Sequence, residues 1–290
     1  KIKSLISDGD IVFLGNDGGV GFTALTLDMS AAGSASFNHD IQMVDNGLLR
    51  MGAGGDLILT SDGTNGTIFA NEGNLTLDTA GNIILDAIGH ISTPTAGTSN
   101  VKLGVNAGNS IASGGIRNTV IGDEAGTAIT TGDSNVAVGY EALKNEDAHG
   151  TNTAIGTQTL FSLNAGVDAY NTAVGFQAGG TVSTGTQNTL IGGLAGDALT
   201  DADYNIAIGV NALGADTLGS GSVAIGRAAL EIQNFASATT TYNTAVGYLA
   251  GNRVTTGVQN TLIGGLAGDA LTDADYNVAI GLSALGADTL

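Results

Sequence analysis

The sequence predicts an all-β chain in which a segment of short strands is followed by a parallel β-solenoid, or β-roll, of 17-residue repeats. Three observations predict it. A five-residue stretch, Asn171-Thr-Ala-Val-Gly175, recurs in near-copies from residue 100 onward, with its glycine at Gly104, Gly122, Gly139, Gly156, Gly175, Gly192, Gly209, Gly226, Gly247, Gly264 and Gly281. Seven of the ten intervals between these glycines are 17 residues and the others are 18, 19 and 21. A fixed short period is the mark of a solenoid, whose units stack only on their neighbours. The third observation is that residues 1–93 carry short apolar alternation between turn signals and no capped helical period.

Residues 1–93 read as strands at Asp10–Leu14, Thr23–Met29, Ile41–Val44, Leu57–Thr60, Thr67–Ala70, Leu75–Asp78 and Asn82–Asp86. Turn residues separate them at Asn16-Asp-Gly-Gly19, Ser61-Asp-Gly63 and Asn65-Gly66. The only proline, Pro94, stands among small polar residues, so residues 94–99 are predicted to link this segment to repeats that fill 100–290. The chain begins at Lys1 rather than Met and stops part-way through a repeat, and reads as a segment of a longer protein.

Within the repeat each position has its own restriction. Position one is Asn, as at Asn171 and Asn188, except at Ser222. Asn in register from unit to unit suits a hydrogen-bonded ladder. Position two is always β-branched and position four always a large aliphatic, as at Val174 and Ile191. Both share one side of a strand and are predicted to line the interior. Position five is always Gly (Gly175, Gly192), which implies a positive φ or an approach that a Cβ would block. Position eight is Ala (Ala178, Ala195) everywhere but Thr159, which implies a tight contact.

A longer period lies above the first. Position nine runs two glycines then two leucines, repeating every four units, and the block 187–218 recurs at 259–290 with three changes. The two longest intervals hold insertions at Phe161–Tyr170 and Glu231–Tyr242, which a solenoid places in surface loops.

Net charge is -19, from 8 Lys+Arg against 27 Asp+Glu. A surface of that sign with scattered cations repels nucleic acid and anionic lipid, so no nucleic-acid partner is expected. There is no cysteine, which removes disulfides and Cys-based metal sites. No apolar run reaches about 18 residues, so no membrane insertion is expected.

Motifs for chemistry are sparse. No phosphate-binding loop, dinucleotide fingerprint or nucleophile elbow is present. His39, His90 and His149 lie far apart and form no paired-His motif. Asp197, Asp201 and Asp203 fall in stretches that partly copy calcium-binding loops, but both ligand sets are incomplete. No metal, cofactor or catalytic residue is therefore expected; those three aspartates would be the ligands of a calcium ion. Glu124, Glu141, Glu146 and Asp197 could supply a glycosidase pair, with nothing to set them apart from a solvated face.

Asn171-Thr-Ala-Val-Gly175 and especially Ser222-Val-Ala-Ile-Gly226 resemble the head repeat of YadA-like trimeric autotransporter adhesins, a repeat type also found in bacteriophage tail fibres. The resemblance covers about residues 100–290 and implies a left-handed parallel β-roll, three chains around one axis, with the aliphatic of the motif buried. The unit here is longer than the family's usual one, and Asn mostly replaces its leading Ser. Ser7-Asp-Gly-Asp-Ile-Val-Phe13, Thr23-Ala-Leu-Thr-Leu-Asp-Met29 and Leu75-Thr-Leu-Asp78 look like stalk segments of phage fibres, particularly those of marine phages. A physical argument points the same way: one coil holds few large apolar residues, and three chains on one axis bury a second face and protect sheet edges. A single-chain solenoid stays open.

The expectation is therefore an elongated homotrimeric fibre of a phage virion that docks to other tail or baseplate proteins and attaches to a receptor on the host cell surface. Its exposed loop aromatics, Phe161, Tyr170, Phe235 and Tyr242, are the candidate receptor contacts, against the alternative that they only pack the loops. The alternatives are a trimeric adhesin on a bacterial cell surface and, third, a fibre-borne polysaccharide depolymerase.

Overall fold

The computed structural model of the chain describes residues 11–17, 20–28, 34–37 and 99–286. The chain divides into two compact units, Lys1–Ile84 and Leu85–Leu290.

The described part of the first unit is a three-stranded antiparallel sheet, β1 (Ile11–Asp17), β2 (Val20–Asp28) and β3 (Ser34–Phe37), in that order. Asp17 pairs with Val20, and the register slips by one between Phe13 and Leu14. β1 and β2 extend the first two strands expected from sequence. Ser34-Ala-Ser-Phe37 was not expected as a strand, because four mostly small residues give almost no alternation to read. The other five strand expectations and Pro94 lie outside the described residues.

The second unit is a parallel β-solenoid, and the described residues contain no helix. Its strands are β4 (Val101–Leu103), β5 (Thr119–Ile121), β6 (Val136–Val138), β7 (Thr153–Ile155), β8 (Thr172–Val174), β9 (Thr189–Ile191), β10 (Ile206–Ile208), β11 (Gly219–Ser220), β12 (Val223–Ile225), β13 (Thr239–Thr240), β14 (Thr244–Val246), β15 (Thr261–Ile263) and β16 (Val278–Ile280). All but β11 and β13 form one 11-stranded sheet in chain order; β11 and β13 pair beside it. Each strand is positions two to four of one repeat, in strict register with the next: Thr189, Leu190 and Ile191 stand beside Ile206, Ala207 and Ile208.

Alternation along these strands faces the opposite way from the expectation. Position three is buried, and positions two and four, Val174 and Ile191 among them, are half-buried or exposed on the outer surface of the coil. The cause is room. The interior is filled from across the coil by position eight (Ala178, Ala195), position nine and position twelve, so position three takes Ala in most coils.

The four-unit period is an exchange of volume across that interior. Val120, Leu190 and Leu262 are the large buried residues at position three, where the first rung has a half-buried Lys102, and the glycines surround them. A Cβ on Gly179 would lie 2.6 Å from Leu190 Cδ1, and one on Gly196 2.8 Å from Leu190 Cδ2. Where position nine is Leu (Leu143, Leu160, Leu213, Leu230), position three is Ala. Close packing demands such compensation, since neither a void nor an overlap is tolerated.

Two devices stitch coil to coil. The side-chain oxygen of each position-one Asn accepts the backbone N–H of the next: Asn171 from Asn188 at 2.9 Å, and Asn188 from Asn205 at 2.9 Å. Its amide donates across the coil, Asn171 Nδ2 to the Gly185 carbonyl at 2.8 Å. The ladder is interrupted after Ser222. There Gln233 fills the interior at position twelve, donating to Asp216 Oδ2 at 2.6 Å and Ser222 Oγ at 2.9 Å while accepting from Asn243 Nδ2 at 2.7 Å. The second device is position five. Gly192 has φ +135°, and a Cβ there would lie 2.6 Å from the Gly209 carbonyl carbon and oxygen. Only glycine lets the backbones of adjacent coils come this close.

Candidate functional site

Position seven puts a polar side chain on one outer corner of successive coils, and these side chains join. Lys144 Nζ bridges Glu124 Oε2 and Glu141 Oε1, the latter at 2.6 Å. Glu141 Oε2 accepts Gln158 Nε2 at 2.9 Å, and Gln158 Oε1 accepts Gln177 Nε2 at 2.9 Å. Hydrogen bonds to Glu124 and then Glu141 hold the Lys144 ammonium above the ordinary lysine range. Those from Lys144 and then Gln158 hold the Glu141 carboxyl below its own.

This row ends in a groove of about 290 Å³ lined by Gln158, Phe161, Ser162, Gln177, Gly180, Thr181 and Asp197. The Phe161 ring stands 5.8 Å from Lys144 Nζ, which adds a cation–π contact to its stacking face. A second groove, of about 340 Å³, lies on the far side of Asp197 and includes Asn211, Gly214, Glu231 and Ile232. Gly180 and Gly214 open the two hollows because position ten there has no side chain. Burial pushes the Asp197 carboxyl above its ordinary value. Glu231 receives the amides of Asn211 at 3.2 Å and Asn252 at 2.7 Å. An aromatic face beside amides and a carboxylate offers apolar stacking together with polar groups that fix orientation.

The loop aromatics divide. Phe161 is half-buried in the first groove, and Tyr170 and Tyr242 are exposed, Tyr242 at 65%. Phe235 departs from the expected exposure. It is only 6% exposed, folded inward against Gly219, where a Cβ would lie 2.9 Å from its ring. The glycine makes the hollow that the ring fills, so Phe235 anchors its loop and is not a surface contact.

Tyr170 and Tyr242 belong to a pattern that the sequence reading did not find. They immediately precede position one, as do the exposed Tyr204 and Tyr276. The rungs of the sheet that begin with Tyr end, at position six, in Phe176, Val210, Tyr248 and Leu282, all exposed. The intervening rungs begin with Gln187, Gly221 and Gln259 and end with Gly193, Arg227 and Gly265. From Tyr170 onward, rungs flanked by Tyr and an exposed apolar residue thus alternate with rungs flanked by Gln or Gly and by Gly or Arg, and between the flanks positions two and four present only Thr, Val, Ile and Leu. The signal was available as a two-unit period, but the insertions hide it by changing the spacing.

The three candidate calcium ligands are not brought together. Asp201 Oδ1 accepts Thr184 Oγ1 at 2.5 Å, and Asp203 Oδ1 accepts the Thr186 N–H at 2.6 Å, each tying one coil to the preceding one. Among the described residues, one group of three potential ligands converges: Glu146, Asp147 and His149, their ligand atoms within 4.8 Å of one another. A search for paired histidines passes over it because it holds a single His. His39 and His90 lie outside the described residues.

Among the described residues no helix is long and apolar enough to cross a membrane. No family model, no curated protein and no solved structure matches the chain.

Proposed function

We propose that the chain is a structural and binding protein, a homotrimeric fibre of a phage virion whose repeated grooves attach to saccharide on a host cell surface. The observation that carries the reading is the outer face of the 11-stranded sheet. Its positions two and four hold no charged residue in any of eleven rungs, on a chain of net charge -19. Ile191 at 37%, Ile155, Ile206 and Ile263 stand exposed on it in the single chain. Across positions two and four copies of the chain can meet without bringing carboxylates together; the flanks of the rungs carry Arg117, Asp123 and Arg227, and carboxylates elsewhere oppose other contacts. Eleven rungs at about 4.8 Å and roughly six residues of width make a face of about 1,000 Å², against about 800 Å² per partner in a standard interface.

The mechanism is geometric. Three copies of a stack of coils present three copies of each groove, and weak contacts at Phe161 and its neighbours combine through avidity. The same features serve a trimeric adhesin on a bacterial surface, which remains the alternative setting. A hydrolytic reading draws on one observation, the presence of Asp197 and Glu231 in one groove. The test is binding of the labelled chain to an array of bacterial surface polysaccharides. Retention on some of them that falls at least tenfold in Phe161→Ala supports the reading. Absence of retention on all of them, or retention indifferent to Phe161, overturns the groove as the attachment site. Shortening of the bound polysaccharide, abolished in Asp197→Asn, would instead identify the hydrolase.

A further inference from the structure

We propose that Glu146, Asp147 and His149 form a binding site for one divalent first-row transition-metal ion of the zinc type. Three lines of observation meet there.

The first is a set of departures from the repeat within a single coil. In the other 17-residue coils position thirteen is Thr130, Ser183, Thr200, Thr217, Thr255 or Thr272, and position fifteen is only Gly or Ala. The coil that starts at Asn135 has Asp147 and His149 instead, beside an interior Glu146 at position twelve. Stacking explains hydroxyls and small residues at these positions and gives no reason for a carboxylate and an imidazole.

The second is a comparison with the coil four units on, where Asp216 occupies the place of Glu146. Both acids accept the position-fifteen N–H: Asp216 Oδ1 from Gly219 at 2.9 Å, and Glu146 Oε1 from His149 at 3.3 Å. The other oxygen of Asp216 is bound by Gln233 from the next coil at 2.6 Å. In the corresponding place below Glu146 stands Leu163, whose side chain has nothing to donate, and the polar group of that coil nearest the carboxylate is the Ala165 N–H.

The third is what this leaves. Glu146 is fully buried, and its Oε2 has no hydrogen-bond partner; neither has the buried Nδ1 of His149. A buried carboxylate oxygen without a partner costs free energy that a bound cation removes.

The geometry and the donor set indicate the class of ion. Glu146 Oε1 and His149 Nδ1 are 3.9 Å apart. Bonds of about 2.0–2.2 Å allow two ligands of one ion to be at most about 4.3 Å apart and put tetrahedral neighbours about 3.4 Å apart, so a small closure brings this pair onto one ion, with Oε2 as the second oxygen that Glu146 offers it. Asp147 Oδ1 accepts the Ala148 N–H at 2.5 Å, and a carboxylate oxygen of Asp147 already lies within 4.8 Å of the other two ligand atoms, so a small movement of that side chain brings it to the third position. One imidazole with two carboxylates suits zinc, cobalt or manganese, whereas calcium takes oxygen ligands and more of them. Solvent completes the coordination. Nothing in this assignment depends on the fibre reading.

The test uses the full chain, stripped with a chelator and titrated with Co²⁺. A visible d–d absorption that saturates at one equivalent, and that Zn²⁺ abolishes, is expected. The paired substitution Asp147→Thr and His149→Gly restores residues that the neighbouring coils already carry, so the fold is retained, as circular dichroism will check. That variant keeps His39 and His90 and is expected to bind at least a hundredfold more weakly. Independently of any variant, one equivalent of Co²⁺ should broaden the ring resonances of one of the three histidines and spare the other two. Absence of the absorption at stoichiometric metal, an undiminished signal in the folded variant, or broadening of all three rings alike would overturn the site.

Discussion

The side-chain oxygen of Asn188 accepts the backbone N–H of Asn205, one coil on, at 2.9 Å, while its amide donates to the Ala202 carbonyl at 2.8 Å. One buried side chain thus satisfies two backbone groups, the Ala202 carbonyl at the end of its own coil and the Asn205 N–H that opens the next.

Asn188→Ala should therefore destabilise the solenoid by about 2–4 kcal/mol, because it leaves a buried donor and a buried acceptor without partners. Asn188→Ser should cost nearly as much, since Ser222 is accommodated only with Thr241 at 2.6 Å and Gln233 at 2.9 Å around it. Thermal and denaturant unfolding of the two variants measures this. A loss below about 0.5 kcal/mol, the range of ordinary surface substitutions, would contradict the ladder's role.

Volume exchange across the interior makes a second prediction. Leu190→Ala leaves a cavity and should cost about 2–5 kcal/mol. Gly196→Leu alone overfills the coil, with a further penalty for a side chain at φ +56°. Made together, they reproduce the Ala207 and Leu213 pairing of the next coil, whose Leu213 already holds φ 54°. The double variant should be at least 1 kcal/mol more stable than the sum of the single changes predicts, read as a double-mutant cycle. Additivity would mean that the two-glycine, two-leucine period is not a packing device.

Much of this architecture was legible because stacking constrains every copy in the same way. The Asn ladder, the glycine at position five and the alanine at position eight each leave one residue type at a fixed spacing. The facing of the strand was not legible. Alternation separates positions two and four from position three but does not say which set points inward, and size alone favours placing the larger residues in the interior. They lie outside because the coil is too narrow to take them. Position twelve escaped notice because it mixes Ile129, Leu199 and Leu271 with Glu146, Asp216 and Gln233, a column with no single polarity. The grooves depend on side chains from three successive coils, which no local motif records.

Acidity should strengthen the solenoid near Asp216. Burial holds that carboxyl above its ordinary value, against hydrogen bonds from Gln233 and the Gly219 N–H. The folded chain therefore keeps its proton at a pH where the unfolded chain has lost it. The contribution is fully present below the unfolded value of about 3.9 and is lost as pH rises through the folded one. The melting temperature should fall as pH is raised across that window, and the fall should be smaller in Asp216→Asn. An equal slope in both proteins would assign the pH dependence to other groups.

Ile191 is the position at which the single chain and the assembly make different predictions. On an isolated solenoid Ile191→Lys changes a partly exposed side chain and should shift stability by less than about 0.5 kcal/mol. On the proposed trimer it places a charge inside each interface and should dissociate the assembly while circular dichroism stays unchanged. Association that survives Ile191→Lys would place the contact on another face.

The most direct test is the solution mass of the unmodified chain by light scattering at low micromolar concentration. A particle of three times 28.5 kDa is predicted, reduced to the single-chain mass by Ile191→Lys. A folded, monodisperse species of 28.5 kDa would contradict the account, because the outer face of the 11-stranded sheet, uncharged at positions two and four, would then be stable against water alone.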